Sequence, residues 1–86
     1  MKTFQLTISS PDGALFSGPV GRITLRGAEG ELAVMAGHVP FITSVKPGDC
    51  VLHMEDESVK RGRTEGGLLT VTHESVTLLT AALEWH

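Results

Sequence analysis

The stretch GAEGELAVMAGHVPFITSVKPG, residues 27–48, decides the fold of this chain. Turn-forming residues recur in it at short intervals, in Gly27–Gly30, Met35–His38 and Lys46–Gly48. Glycine favours turns because it tolerates positive φ, and proline favours them because its ring fixes φ. Between these groups apolar and polar residues alternate, which is the period of a strand with one buried face. The stretch therefore predicts short β-strands joined by tight turns.

The same alternation extends through the rest of the chain. Its clearest run is Phe4–Ile8, where apolar residues occupy every second position ahead of the turn-forming sequence Ser10–Gly13. Val20 and Ile23 fall out of phase at period two, so we expect a bulge or bend near Gly21. Short strands with turn signals about every 8–12 residues are typical of an antiparallel sandwich or barrel.

Three segments fit this pattern poorly. Ser17–Pro19 is expected to interrupt the extended run that begins at Ala14. Val59–Thr64 is the weakest strand candidate, because it is basic and contains Gly62. The tail Ala81–His86 has helical propensity but is too short to hold a helix alone.

Composition and charge exclude several classes of protein. A length of 86 residues suits one domain, which we expect to span residues 1–86. With 41% apolar and 20% charged residues, the chain has the composition of a soluble globular protein. No apolar run approaches the roughly 20 residues needed to cross a bilayer. A net charge of −3 and the lack of a long basic run argue against a nucleic-acid partner.

Candidate catalytic and metal-binding groups do not form a motif. The histidines are scattered, and no spacing places two of them together as metal ligands. Glu29 and Glu31 flank Gly30 at an expected exposed turn, whereas catalytic carboxylates need enclosure to shift their pKa. Cys50 shares a strand phase with Leu52, which favours a buried, inert thiol. We therefore predict no catalytic residues, no metal site, no cofactor and no enzyme activity for the chain alone.

Two further groups have competing interpretations. Glycines 27, 30, 37 and 48 could suggest a phosphate cradle, but that site needs a loop feeding a helix and a lysine at fixed spacing, so we interpret them as turn glycines. Lys60, Arg61 and Arg63 form a basic cluster. It is either a solvated edge protected against strand-to-strand aggregation or a small electrostatic docking patch. The sequence does not separate these two readings.

Taken in order, the motifs resemble one family. The series Gly27–Val34, Gly37–Pro40 and Thr43–Gly48, supported by Phe16–Gly18 and Gly66–Val71, closely resembles the epsilon subunit of the F-type proton-translocating ATP synthase. The resemblance is to its amino-terminal domain and covers essentially the whole chain. It implies an all-β fold, a flattened antiparallel β-sandwich of about 8–10 short strands.

The resemblance implies a mechanical role. In the family this domain lies at the foot of the central stalk, bound to the gamma subunit and resting on the ring of membrane c subunits. The implied function is that of a non-catalytic rotor subunit that couples proton translocation to ATP synthesis. The implied location is the cytoplasmic face of a bacterial inner membrane, peripheral through the complex and not inserted. By motif position, Glu29, Gly30 and Glu31 resemble the surface that meets the polar loops of the c-ring, and Ser10, His38 and Thr43 resemble positions facing gamma.

The sequence is also compatible with other functions. A free-standing β-sandwich adaptor would keep the fold and bind another protein partner, and a small hydrolase or metal-binding domain would need the histidines to converge. Self-association of the isolated domain is also open. Family members usually continue with two helices that regulate ATP hydrolysis and in some members bind ATP. Because the sequence ends at His86, we expect neither property through those helices. Val59–Thr64 is basic where relatives are mostly apolar, which leaves the packing of that strand open.

Overall fold

Residues 2–86, the part of the chain that the computed structural model describes, form nine β-strands and no helix. The all-β prediction is confirmed. Within those residues there is accordingly no helix long and apolar enough to cross a membrane. The strands are β1 Phe4–Ser10, β2 Gly13–Gly27, β3 Gly30–Met35, β4 Phe41–Val45, β5 Gly48–Met54, β6 Val59–Thr64, β7 Gly67–Val71, β8 Ser75–Thr80 and β9 Leu83–Trp85.

The long strand β2 belongs to two layers. Its first half, Gly13–Val20, pairs with β1, and its second half pairs with β5 on one side and β3 on the other. The nine strands form one continuous hydrogen-bonded sheet that folds into two layers. We call the layer β4-β7-β8-β1-β2 sheet 1 and the layer β3-β2-β5-β6-β9 sheet 2; Gly27 at the end of β2 also pairs with Val45 at the end of β4. Counting β2 once in each sheet gives five strands per sheet, in agreement with the predicted strand number.

One pairing departs from the predicted antiparallel arrangement. Strands β1 and β8 are parallel, with Leu6 opposite Val76 and Ile8 opposite Leu78, whereas the other pairings are antiparallel. Parallel neighbours need a long crossover connection, and here the whole run from β2 to β7 supplies it. The alternation of side chains is the same in both kinds of pair, so the sequence pattern carried no signal for this exception.

The two sheets enclose one hydrophobic core. Cys50 belongs to it and is fully buried, as predicted. Burial raises the pKa of the Cys50 thiol to about 12, so the reactive thiolate does not form near neutral pH. The buried core residues are Leu6, Ile8, Val20, Ile23, Leu25, Val34, Val45, Cys50, Leu52, Leu69, Val71, Val76 and Leu78.

Strand β2 changes layers through a bulge. Its register with β5 shifts between Val20 and Arg22, so Gly21 is the extra residue, as the phase of the apolar positions predicts. The expected interruption at Ser17–Pro19 was wrong, because β2 continues through it opposite β1. Among the described strands, residues 13–19 of β2 are paired with β1 only, and a proline without an N–H is tolerated at such an edge.

The chain end is a strand rather than a nascent helix. β9 pairs with β6, which confirms Val59–Thr64 as a strand. The tail, which is too short to hold a helix alone, is extended despite its helical propensity. The Trp85 ring covers Gly62, where an added Cβ would lie 2.8 Å from Trp85 Cε3. It also meets Phe16 edge-on at 6.3 Å, and Lys60 Nζ lies 4.7 Å from the ring centre. These tertiary contacts outweigh the weak local propensity of a six-residue segment.

Candidate functional site

The proposed c-ring positions form the tip of the β2–β3 hairpin. Gly27 pairs with Gly30, which leaves Ala28 and Glu29 as a two-residue loop. Glu29, Gly30 and Glu31 are all exposed, so both carboxylates lie in water. Gly30 has φ of +131°, in agreement with the positive φ expected for it. The tip can make polar contacts with a partner, but it does not enclose a reaction.

Replacing Gly30 with valine should destabilise the domain by about 1–3 kcal/mol, because a β-branched residue is strained at positive φ. No atom lies within 4 Å of a Cβ added at Gly30, so the expected cost is backbone strain. Urea denaturation followed by circular dichroism measures the change. Gly18→Val is the matched control, because Gly18 has an ordinary φ and its nearest neighbour, Phe16 Cζ, lies 3.7 Å from the added Cβ. Equal midpoints for the two variants would contradict the prediction.

The four glycines interpreted as turn residues divide into two classes. Gly30 and Gly37 have positive φ, so that interpretation is confirmed for them. Gly27 and Gly48 lie at the end of β2 and the start of β5 and do not have positive φ. There the constraint is close packing, since an added Cβ would come 3.1 Å from the Gly30 carbonyl oxygen or 3.1 Å from Arg26 Cδ. Sequence alone does not distinguish a turn glycine from a packing glycine.

Thr43 lies next to the hairpin tip. A shallow depression of about 350 Å³ is lined by residues 27–32 and Thr43. The cross-strand partner of Thr43 is the buried Leu69, so its side chain follows the inner phase of β4. The structure therefore brings this predicted gamma-facing position close to the predicted c-ring surface.

His38 lies in the connection between β3 and β4. Its backbone N–H donates to the Met35 carbonyl at 3.3 Å, which closes the turn around Gly37. Its ring packs 5.3 Å from the Phe41 ring, and Nδ1 lies 3.5 Å from the Val39 carbonyl oxygen. In residues 2–86 no three His, Cys, Asp or Glu side chains converge as metal ligands. The arrangement positions His38 within a turn.

Ser10 is the last residue of β1, which is separated from β4 by two strands of sheet 1. Its Oγ accepts a hydrogen bond from the Asp12 N–H at 3.2 Å and donates to the Gly13 carbonyl at 3.4 Å. These bonds hold the β1–β2 turn. Strands β8 and β7 separate β1 from β4, so Ser10 is about 14 Å from the β4 edge. Ser10, His38 and Thr43 do not form one cluster.

The outer face of sheet 1 is uncharged and partly apolar. Leu68 and Leu79 face each other across β7 and β8 and are 43% and 50% exposed. Ile42, on the adjacent strand β4, is 67% exposed. We call these three residues the apolar patch. Grouped exposed apolar side chains mark an interaction surface, whereas single ones are ordinary. The other outward residues on β1, β4, β7 and β8 are Gln5, Thr7, Ser9, Ser44, Thr70, Ser75 and Thr77.

Residues 3–86 match the model of a protein family described as ATP synthase, delta/epsilon chain, β-sandwich domain. The chain belongs to this family. The chain is 38% identical over 84 residues to the sodium-ion-specific ATP synthase epsilon chain of Acetobacterium woodii. That alignment covers 98% of this chain and 63% of the relative, so the chain spans less than two thirds of the relative's length.

Two solved assemblies contain a similar domain. A chain of the Euglena gracilis mitochondrial ATP synthase, in a structure containing OSCP, F1 and the c-ring, matches with a TM-score of 0.90 and 27% identity over 96% of this domain and 53% of that chain. A chain of the Tetrahymena thermophila mitochondrial ATP synthase central stalk and c-ring matches with a TM-score of 0.75 over 95% of this domain and 66% of that chain. At 14% identity, the second match shows the fold alone.

The apolar patch is the part of the delta/epsilon domain surface that sequence reasoning missed. Its signal was the pair of leucine doublets, Leu68-Leu69 and Leu78-Leu79. Neighbouring residues in a strand point to opposite faces, so a doublet must place one leucine outside. The structure shows that the two outward leucines are cross-strand partners.

Proposed function

We propose that this chain is a non-catalytic rotor subunit of an F-type ATP synthase, in which it links the gamma subunit to the c-ring and couples ion translocation to ATP synthesis. Family membership over residues 3–86 supports the assignment. The relative from Acetobacterium woodii is named as an epsilon chain, and the Euglena gracilis assembly contains the c-ring. We further propose that residues 1–86 act as a single domain, peripheral to the cytoplasmic face of a bacterial inner membrane through the complex.

The observation that carries the proposal is the uncharged outer face of sheet 1. A permanent interface is more apolar than ordinary surface and is depleted in charge at its centre. The apolar patch has both properties. Ser10 and His38 border this sheet at its β1 and β4 sides, in keeping with their proposed role in facing gamma. We therefore assign gamma to this face. Thr43 follows the inner phase of β4 and lines the depression beside the hairpin tip, so it is a separate proposed contact.

The c-ring contact is assigned to the hairpin tip, Glu29–Glu31. Two exposed carboxylates on a tight turn suit polar loops on a partner, because rim charges set orientation and association rate. The tip and the outer face of sheet 1 are different surfaces of the domain. One subunit can therefore contact two partners at once.

Reversing the charge of Glu31 should weaken coupling without unfolding the domain. One exposed charge contact contributes up to about 1 kcal/mol, so we expect roughly a fivefold weaker contact. Ion pumping per ATP hydrolysed, measured in reconstituted vesicles, should fall for Glu31→Lys. Because Glu31 lies opposite Arg26, Glu31→Gln is made as well to separate lost contact from new repulsion. Glu74→Lys, in an exposed loop, is the control. Unchanged pumping in both Glu31 variants would show that Glu31 does not contact the c-ring.

Co-expression with the matching gamma subunit, followed by size-exclusion chromatography at moderate salt, tests the function directly. Co-elution at one-to-one stoichiometry is expected. Clean separation of a folded domain from gamma would overturn the rotor assignment and favour an adaptor that binds another protein.

A further inference from the structure

The outer face of sheet 2 carries a polar groove, of whose charged side chains the proposed rotor role uses only Glu31. Its volume is about 510 Å³, and three arginines, Arg26, Arg61 and Arg63, line it together with Glu31 and Asp49. These side chains come from β2, β3, β5 and β6. Strand pairing therefore gathers charges from four separate parts of the sequence.

Cross-strand register gives two of the arginines an acidic neighbour. Arg26 lies opposite Glu31, and Arg63 lies opposite Asp49. Side chains directly opposite in an antiparallel pair have Cβ atoms about 4.5–5.5 Å apart, within range of mutual attraction. Each of these two arginines therefore has a carboxylate at the directly opposite position on the neighbouring strand.

Arg61 is placed differently. Its partner on β5 is Val51, and on its other side the His86 backbone N–H donates to the Arg61 carbonyl at 2.9 Å. Neither register neighbour is a carboxylate. Three guanidinium groups line the groove against two carboxylates, and the register leaves Arg61 as the one without an acidic neighbour among them.

An unused hydroxyl lies across from Arg61. Thr24 pairs with Val51 from the opposite side, so Val51 is flanked by Thr24 and Arg61 in one row. Thr24 Oγ1 is buried and has no hydrogen-bond partner among the described residues. A buried hydroxyl without a partner loses the hydrogen bond it makes in water, which favours a ligand that supplies one.

The basic cluster that the sequence left undecided is divided by the strand. Lys60 points to the Trp85 side of β6, where its ammonium lies over the ring. Arg61 and Arg63, two residues apart, share the groove face. Lys60 thus contributes to holding β9, whereas Arg61 and Arg63 face the groove, and of these two only Arg61 has no acidic register neighbour.

We propose that this groove binds the phosphate group of a small phosphorylated compound. The phosphate lies over Val51, where it accepts hydrogen bonds from the Arg61 guanidinium and the Thr24 hydroxyl. Guanidinium groups match phosphate oxygens in a bidentate geometry, and a phosphate has acceptors left for a third donor. The groove volume lies in the range of small-molecule sites. Glu31 and Asp49 border the site and oppose highly charged polyanions, which favours a single phosphate group.

The test is a titration of the ¹⁵N-labelled chain with inorganic phosphate, followed by amide chemical shifts at constant ionic strength. We expect saturable shifts at Thr24, Val51 and Arg61, with a Kd on the order of 1 mM. Arg61→Gln should weaken binding about tenfold and Thr24→Val about threefold, because each removes a direct donor. Lys60→Gln is the matched control and should leave the Kd unchanged.

Citrate and a nucleoside monophosphate complete the experiment. Citrate tests whether the groove prefers carboxylates, and equal or tighter citrate binding would overturn the phosphate assignment. The nucleoside monophosphate tests whether the group attached to the phosphate adds affinity. Tighter binding than that of inorganic phosphate would support a phosphorylated compound as the ligand. Equal binding would contradict that part of the proposal and leave free phosphate as the ligand. The proposal would be contradicted by chemical shifts that do not saturate by about 20 mM phosphate, or by an equal loss of phosphate affinity in Arg61→Gln and Lys60→Gln.

Discussion

Replacing Gly67 with alanine is expected to abolish folding of the domain. Gly67 has φ of +155° and is the first residue of β7, where it pairs with Thr80 on β8 and with Val45 on β4. An added Cβ would fall far inside the contact distance of the Leu79 carbonyl oxygen and 3.1 Å from Thr80 Cα. Both are backbone atoms held by strand pairing, so the clash is relieved only by separating the strands.

The surroundings of Gly67 leave little room to adjust. Gly66 N–H donates to Thr64 Oγ1 at 2.7 Å, and Thr80 Oγ1 donates to the Gly66 carbonyl at 2.7 Å. Thr64 and Thr80 are both buried. These bonds fix the turn that carries the chain from sheet 2 to sheet 1. A shift that accommodates a methyl group at Gly67 therefore breaks buried hydrogen bonds as well.

We expect Gly67→Ala to cost at least about 4 kcal/mol, which is comparable to the whole stability of a domain of this size. The measurement is urea denaturation followed by circular dichroism. Gly13→Ala is the control, because Gly13 also has positive φ, +130°, but has nothing within 4 Å of an added Cβ. It should lose only about 1–2 kcal/mol. Similar midpoints for the two variants would show that the clash at Leu79 is relieved cheaply.

Introducing a charge at Leu79 should abolish binding of gamma while leaving the domain folded. Leu79 lies in the apolar patch, opposite Leu68, on the face proposed for gamma. A carboxylate there would be buried without a partner in the complex, whereas in the free domain it stays half exposed. We expect Leu79→Glu to weaken the complex at least about 100-fold, the loss typical of a central interface residue.

Val59→Glu is the matched control for this experiment. Val59 is 44% exposed, nearly as much as Leu79, but lies on β6 in sheet 2. Surface substitutions of this kind usually change stability by less than about 0.5 kcal/mol, so both variants should remain folded. Co-elution with gamma should be lost for Leu79→Glu and kept for Val59→Glu. Retention of gamma by Leu79→Glu would move the interface away from the outer face of sheet 1.

Strand positions and the core were predictable from the alternation of residue types. Phe4–Ile8 and the strand through Cys50 and Leu52 lie where the pattern places them, and the broken phase at Val20 and Ile23 predicted the bulge at Gly21. The interruption expected at Ser17–Pro19 was wrong, and the helical propensity of the tail was not realised, because in both places a distant part of the chain overrides local preference. Residues 17–19 continue β2 because β1 pairs with them, and the tail is extended because Trp85 packs over Gly62.

The candidate surfaces were predictable only in part. The hairpin tip is a local feature, since Gly27–Glu31 are contiguous and their turn chemistry appears in the sequence itself. The apolar patch combines Leu68 and Leu79 through a β7–β8 register that no local pattern specifies. The same holds for the parallel pairing of β1 with β8, which requires a crossover that spans most of the chain.

By itself, the sequence determined most of the inward-facing positions, most of the turns, and the family that the motifs resemble. Those properties follow from the period of two along a strand and from the backbone preferences of glycine and proline. Only the tertiary structure decided which outward residues lie side by side, as with Arg61 and Thr24 across Val51 or Leu68 and Leu79 on sheet 1. Alternation separates inside from outside, but strand order and register determine which residues from distant strands share a face.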